Sequence, residues 1–479
     1  MGLSIVSSWY KNNATRSELH GIPIILKDNM ATEAGLGMKT TFGASAFHNA
    51  SANEDAFVFK QICEAGMIVL GKANLDELNG FKLRVAISQD GRRFGGQTLS
   101  PYDGEYPCGS SGGSTVAVAA GFAPLALGTE TQGSISCPAS HAALYAMKPS
   151  TGLLPRSGIL PSSTTFNAPG ILAKSTWDIS NALDLASGPD DTDPATLMAS
   201  LHRYGNFTQQ PSSNWSDWRI EFADTDWFWS SIGVYSDGKE EDKMLSSARE
   251  ALARMAGLGA YVQVDAPMLS AHLSREEAPE AMAKLVRHEM QPGFSGMFSK
   301  LSGTQVKNIS DLVRFNQEHP YQPSNSGLLQ QSKLSRTRLY QNLSESRYTE
   351  ILHRAHEIGI EQGINNVLDK ISSRCSCRPS MDVSVYFHGF LKYSPYFDPL
   401  IDTNELMIGA ESPVGTVPLG TYPNGRPYGL VFAGRYLEDQ KVLSIMRLYE
   451  ATFPARHVPC KLRWERVNTC LPWALWYSH

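Results

Sequence analysis

Long apolar runs, tracts of one charge, paired cysteines and internal repeats are all scarce in this 479-residue chain. The most apolar stretch, Thr115 to Gly128, is short, rich in alanine and glycine, and broken by Pro124. A membrane-crossing helix needs roughly 20 apolar residues in succession, so no membrane span is expected. Forty-two basic residues face 47 acidic ones, a formal charge of −5, without any block of like charge. A protein that tracks a phosphate backbone needs such a block, which argues against nucleic acid as a partner. The seven cysteines are odd in number, and only Cys375 and Cys377 have spacing suggestive of a metal site. That pattern predicts free thiols in a reducing compartment rather than a disulfide framework, and no zinc. Met1 to Val6 carry neither a charged leader region nor a sustained apolar core, which points to a cytoplasmic protein.

What is present is globular. Hydrophobic residues make up 42% and charged residues 19%, enough apolar surface for a sizeable core and too little charge for extensive disorder. Between residues 21 and 175 short apolar runs alternate with helical patterns, the grammar of an α/β fold. Ile22 to Leu26, Met67 to Leu70 and Leu125 to Leu127 read as buried strands. Asp55 to Ala65 reads as an amphipathic helix, and Ser114 to Ala120 as a small-residue helix opened by the turn Ser110 to Gly113. Further along, strands are expected at Ile232 to Tyr235, Tyr261 to Val264 and Met381 to Phe387. Helices are expected over Glu240 to Ala256 and Arg347 to Lys370. Two strands joined by Pro423-Asn424-Gly425 are expected within Gly415 to Gly434.

Three segments carry chemistry: Lys27 closing an apolar strand, the turn Gly109-Ser110-Ser111-Gly112-Gly113-Ser114, and the loop Gly128-Thr129-Glu130-Thr131-Gln132-Gly133-Ser134-Ile135. Taken singly, each has a plainer reading as a solvated lysine, a flexible loop or a turn. Taken together, they supply a nucleophile and its activation. A serine hydroxyl is a weak nucleophile that needs an adjacent base, and a lysine can serve once burial makes it neutral near pH 7. The strand Ile22-Pro23-Ile24-Ile25-Leu26 offers that burial, and the glycines allow backbone amides to converge on a developing oxyanion. No histidine pairs recognisably with either serine, which disfavours a Ser-His-Asp arrangement.

The run from Cys108 to Ala139, CGSSGGSTVAVAAGFAPLALGTETQGSISCPA, resembles the hallmark of the amidase signature family. In that family the first serine of the Ser-Ser pair carries a cis peptide bond and precedes the nucleophile by 24 positions, the separation of Ser110 and Ser134 here. The family's lysine follows a Gly-Ile/Val-Pro strand, and His20-Gly21-Ile22-Pro23-Ile24-Ile25-Leu26-Lys27 is similar. Gly71-Lys72-Ala73-Asn74-Leu75-Asp76-Glu77 and Pro427-Tyr428-Gly429-Leu430 also fall where related segments lie. The resemblance implies one large α/β domain with a central mixed sheet covered by helices on both faces. It implies Lys27 as base, Ser110 as proton relay and Ser134 as nucleophile. It further implies an oxyanion hole from the backbone amides of Thr131, Gln132, Gly133 and Ser134. No cofactor or metal is implied. The substrate expected is a small-molecule or peptide-like amide, and the protein is expected to be a monomer or homodimer. Thr129-Glu130-Thr131 and Pro107-Cys108-Gly109 look closest to the peptide amidase branch.

The chain departs from the family in places. Gln132 stands where glycine or aspartate is usual and would be strained at positive φ. Ser136 replaces an arginine that in many members pairs with the acidic residue at the position of Glu130. The expected partition is a truncated N-terminal segment (1–19), a catalytic core (20–187), a variable insertion or cap (188–330), the C-terminal part of the core (331–456) and an atypical tail (457–479). Two alternatives to an active amidase remain open: a catalytically weak accessory or binding protein, and the glutaminase component of an amidotransferase. Met30, Leu78 and Phe81 are candidate pocket residues whose plainer role is core packing.

Overall fold

The computed structural model describes residues 15–81, 96–200, 206–209, 214–223, 239–266, 278–319, 334, 343–373, 381–388 and 411–459. Its spine is a ten-stranded mixed sheet. In chain order the sheet's first strands are β1 (Pro23–Lys27), β3 (Ile68–Ala73), β4 (Leu125–Glu130), β5 (Tyr145–Lys148) and β6 (Ala168–Ala173). They are followed by β7 (Trp218–Ala223), β8 (Tyr261–Ala266), β10 (Met381–His388), β11 (Val414–Thr421) and β12 (Pro427–Ala433). A separate small ladder pairs β2 (Ser51–Ala52) with β9 (Leu301–Ser302). Across the main sheet the order is β3-β1-β4-β6-β5-β11-β12-β10-β7-β8. Strands are parallel at both ends, where β1 lies between β3 and β4 and β7 between β10 and β8. They are antiparallel through the middle.

Burial explains the sequence of the central strands. All six residues of β4 and all six of β6 are buried, as expected of strands covered on both faces, and their segments Leu125–Leu127 and Ile171–Ala173 run apolar without alternation. Helices α1 (Phe57–Glu64), α2 (Gly112–Ala120), α3 (Ser136–Ser140) and α4 (Thr176–Ala186) belong to the first half of the chain. They are followed by α5 (Pro194–Ser200), α6 (Lys239–Gly257), α7 (Ala278–Ser299) and α8 (Ile309–Glu318). The last are α9 (Glu345–His356), α10 (Asn366–Ser373) and α11 (Asp439–Thr452). The C-terminal part of the chain is tied back to the first half by polar bonds. Asp439 accepts from the Ser150 amide at 2.8 Å and the Ser150 hydroxyl at 2.6 Å, and Arg426 pairs with Asp103 at 2.5 Å in a buried setting.

Most expected elements recur with shifted ends. The helix expected to begin at Ser114 begins at Gly112, and the pattern read as one helix over 347–370 is α9, a π-helical stretch at Glu357–Asn365, and α10. The segment 188–330 supplies β7 and β8 to one edge of the main sheet. The strand expected at Ile232 to Tyr235 lies outside the described residues, as do Cys375 and Cys377 and residues 460–479 of the tail. Met30, Leu78 and Phe81 all belong to the main hydrophobic core. Among the described residues no helix is long and apolar enough to cross a membrane.

Candidate active site

Strand β1 delivers Lys27 to the interior of the sheet between β3 and β4, and the side chain is fully buried. Its Nζ lies 2.7 Å from Ser110 Oγ, 2.9 Å from Thr129 Oγ1 and 3.3 Å from the Thr129 carbonyl. Burial lowers the Lys27 pKa to about 7, against the attraction of Asp76 and Glu130. An amine in that range exchanges a proton readily near neutrality. Thr129 Oγ1 also accepts from Asn29 Nδ2 at 2.9 Å, so the Lys27 amine is oriented by a short polar chain.

Ser110 comes from the turn that opens α2. The Gly109–Ser110 peptide is cis, and the Ser110 carbonyl accepts from the Asp76 amide at 3.1 Å. Helix α2 packs closely because its residues are small. A Cβ on Gly113 would run into the Asn74 backbone, and Ser114 Oγ donates to the Leu127 carbonyl at 2.9 Å. The helix stops at Gly121, which takes the left-handed conformation at φ 87°.

Ser134 sits in the loop between β4 and α3. It is partly exposed, whereas Lys27 and Ser110 are buried, so the expected nucleophile is open to solvent and the expected base is enclosed. Turn and loop are joined twice. The Ser111 amide donates to the Ser134 carbonyl at 3.0 Å, and Cys108 is disulfide-bonded to Cys137. This bond corrects the expectation of free thiols only. The odd cysteine count gave no hint of it, because the partners are 29 residues apart in sequence and meet only when β4 folds between them. Cys108, Cys137 and His141 are, among the described residues, the group whose donor atoms could hold a metal ion. Two of the three are already bonded to each other.

Both unusual loop residues find a physical account. Gly133 carries the positive φ of 68°, and Gln132 is absent from the positive-φ residues, so glutamine there is unstrained. The Glu130 carboxylate takes hydrogen bonds from the amides of Ile135 at 2.7 Å and Ser136 at 2.8 Å and from the Ser136 hydroxyl at 2.9 Å. Serine thus replaces an arginine's charge with a short hydroxyl contact, and the loop stays anchored. Thr131 Oγ1 meets Asn167 Oδ1 at 3.0 Å. Thr129 as a partner of Lys27, and Asn29 behind it, were missed in the sequence. Their role depends on β1 and β4 being neighbours, which no local pattern reveals.

A family model described as Amidase matches residues 6–351. The crystal structure of native peptide amidase from Stenotrophomonas maltophilia superposes with a TM-score of 0.78 at 28% identity, covering 96% of this chain and 88% of that one. An Arabidopsis thaliana protein described as a probable amidase is 27% identical over 457 residues, 94% of this chain and 80% of its own. A component of the glutamyl-tRNA(Gln) amidotransferase of Haloarcula marismortui is 28% identical over 438 residues, 89% of this chain and 94% of its own.

Proposed function

We propose, from the premise that this chain belongs to the amidase family and is a hydrolase of amide C–N bonds, that it works through an acyl-enzyme on Ser134. The observation that carries this reading is a buried lysine of lowered pKa, 2.7 Å from Ser110, in a turn bonded to the loop that holds a partly exposed Ser134. The Ser134 hydroxyl attacks the carboxamide carbon as its proton passes through Ser110 to neutral Lys27. Backbone amides of Thr131, Gln132, Gly133 and Ser134 hold the oxyanion. Lys27, through Ser110, returns the proton to the departing nitrogen, the C–N bond breaks, and an ester on Ser134 remains. Water, deprotonated by the same route, attacks that ester and releases the carboxylic acid.

Peptide-like amides are the favoured substrates, because similarity to the peptide amidase extends over almost the whole chain. The glutaminase component of an amidotransferase is the second reading, supported by the Haloarcula relative. Co-purification with partner proteins in the source cell separates the two. The mechanism is tested by intact-mass labelling with a fluorophosphonate. One adduct is expected on the wild type and none on Ser134→Ala or Lys27→Ala. A folded wild type that takes no adduct would sink the mechanism and favour an accessory protein.

A further inference from the structure

Two acids act on Lys27, Asp76 and Glu130, and other charged groups stand on the neighbouring strands. Asp28, the residue after β1, is ion-paired at 3.2 Å with Lys72 of β3, so these two largely offset each other. Glu130 at the end of β4 is held by the amides of Ile135 and Ser136, and Lys148 of β5 is buried with Glu130 as the acid that acts on it most. The remaining acid is Asp76, in the loop after β3, with Glu77 beside it. Of the charges acting on Lys27, Asp76 is the stronger and Glu130 the weaker.

Asp76 has no part in the proton route described above, yet it is built into the turn that carries Ser110. It is buried, and its Oδ2 accepts from the Tyr106 hydroxyl at 2.5 Å. Its backbone amide donates to the Ser110 carbonyl at 3.1 Å. A Cβ on Gly109 would strike both the Asp76 carboxylate and the Tyr106 hydroxyl, so the carboxylate lies flat against the residue preceding the relay serine. One residue thereby holds the relay through its backbone and places a negative charge near the base through its side chain.

We propose that Asp76 is a positioning residue of this reaction, fixing Ser110 by its amide and serving, its carboxylate held in place by the Tyr106 hydroxyl, as the counter-charge that lets the enclosed Lys27 take the Ser134 proton. The proposal rests on the Lys27–Ser110–Ser134 mechanism. A lysine stripped of water holds a proton poorly, and an acid nearby restores part of that affinity. As the nucleophile attacks, the proton arriving on Lys27 creates a cation, and a fixed anion lowers the energy of that state without reorganising.

The test is the rate of fluorophosphonate labelling at Ser134 from about pH 5 to about pH 9, on wild type, Asp76→Asn and Asp76→Glu. Without the negative charge Lys27 becomes a weaker base and stays neutral to lower pH. In Asp76→Asn the acid limb is therefore expected to move down by about one pH unit, while the alkaline plateau falls roughly tenfold. Asp76→Glu keeps the charge and is expected to keep the limb near its wild-type place, although its extra methylene slows labelling. Should the asparagine variant not fold, Asp76→Ser, which is smaller and retains the backbone donor, takes its place. A folded neutral variant whose limb does not move would overturn the proposal, since a purely structural residue changes rate without changing the base. A wild type that labels at the same rate across this range would instead remove the Lys27 mechanism itself.

Discussion

At the residue scale the decisive fact is that Lys27 is buried while its contacts are few and oriented. Burial lowers its pKa to about 7, so the neutral form predominates above that value and shrinks about tenfold for each unit well below it. The sign follows directly: on the proposed mechanism the reaction needs the unprotonated amine, so activity is expected to fall as pH drops. Amide hydrolysis at pH 5 is expected to run about a hundredfold below its plateau, checked by kcat/KM against pH on any amide that is turned over. A profile flat through this region would mean that some other group is the base. Thr129 belongs to the same scale. Its hydroxyl at 2.9 Å and carbonyl at 3.3 Å, with Ser110 at 2.7 Å, give the protonated amine three acceptors.

At the scale of elements, close approach governs the site. Helix α2 reaches the loop after β3 because Gly113 presents no side chain to the Asn74 backbone. Gly113→Ala is expected to push these two backbones apart and destabilise the fold by about 1–3 kcal/mol. Because Ser110 precedes the same helix, labelling of Ser134 should slow as well. A shift in the denaturation midpoint together with the labelling rate checks both effects. These segments were legible in the sequence, since glycines and short apolar strands mark them without help from the rest of the chain. Strand ends were less so: β4 continues to Glu130, three residues past its last apolar side chain, because Gly128, Thr129 and Glu130 pair with Gly170, Pro169 and Ala168 of β6. Pairing partners across 40 residues leave no local signature.

For the whole molecule, the informative contacts join distant parts of the chain. Arg426, just after the turn between β11 and β12, pairs with Asp103 from the segment before the Ser110 turn, and both side chains are buried. Arg426→Met leaves that carboxylate buried without its cation and is expected to cost about 3–5 kcal/mol. Adding Asp103→Leu should recover much of the loss, as measured by chemical denaturation. If the single variant is as stable as the wild type, the pair does not hold the C-terminal strands to the site. The family resemblance implied a mixed sheet but not its order, because β11 and β12 enter between β5 and β10 by a long return that periodicity does not encode.

The bond between Cys108 and Cys137 also changes what the chain is as a connected object. It closes a covalent ring that contains both Ser110 and Ser134 and leaves Lys27 outside. A protease that cut the backbone once within the ring would yield no separate fragments there, and the two serines would travel together on one molecule. Lys27 has no such tether, so a cut between Lys27 and Cys108 would leave it attached by packing alone.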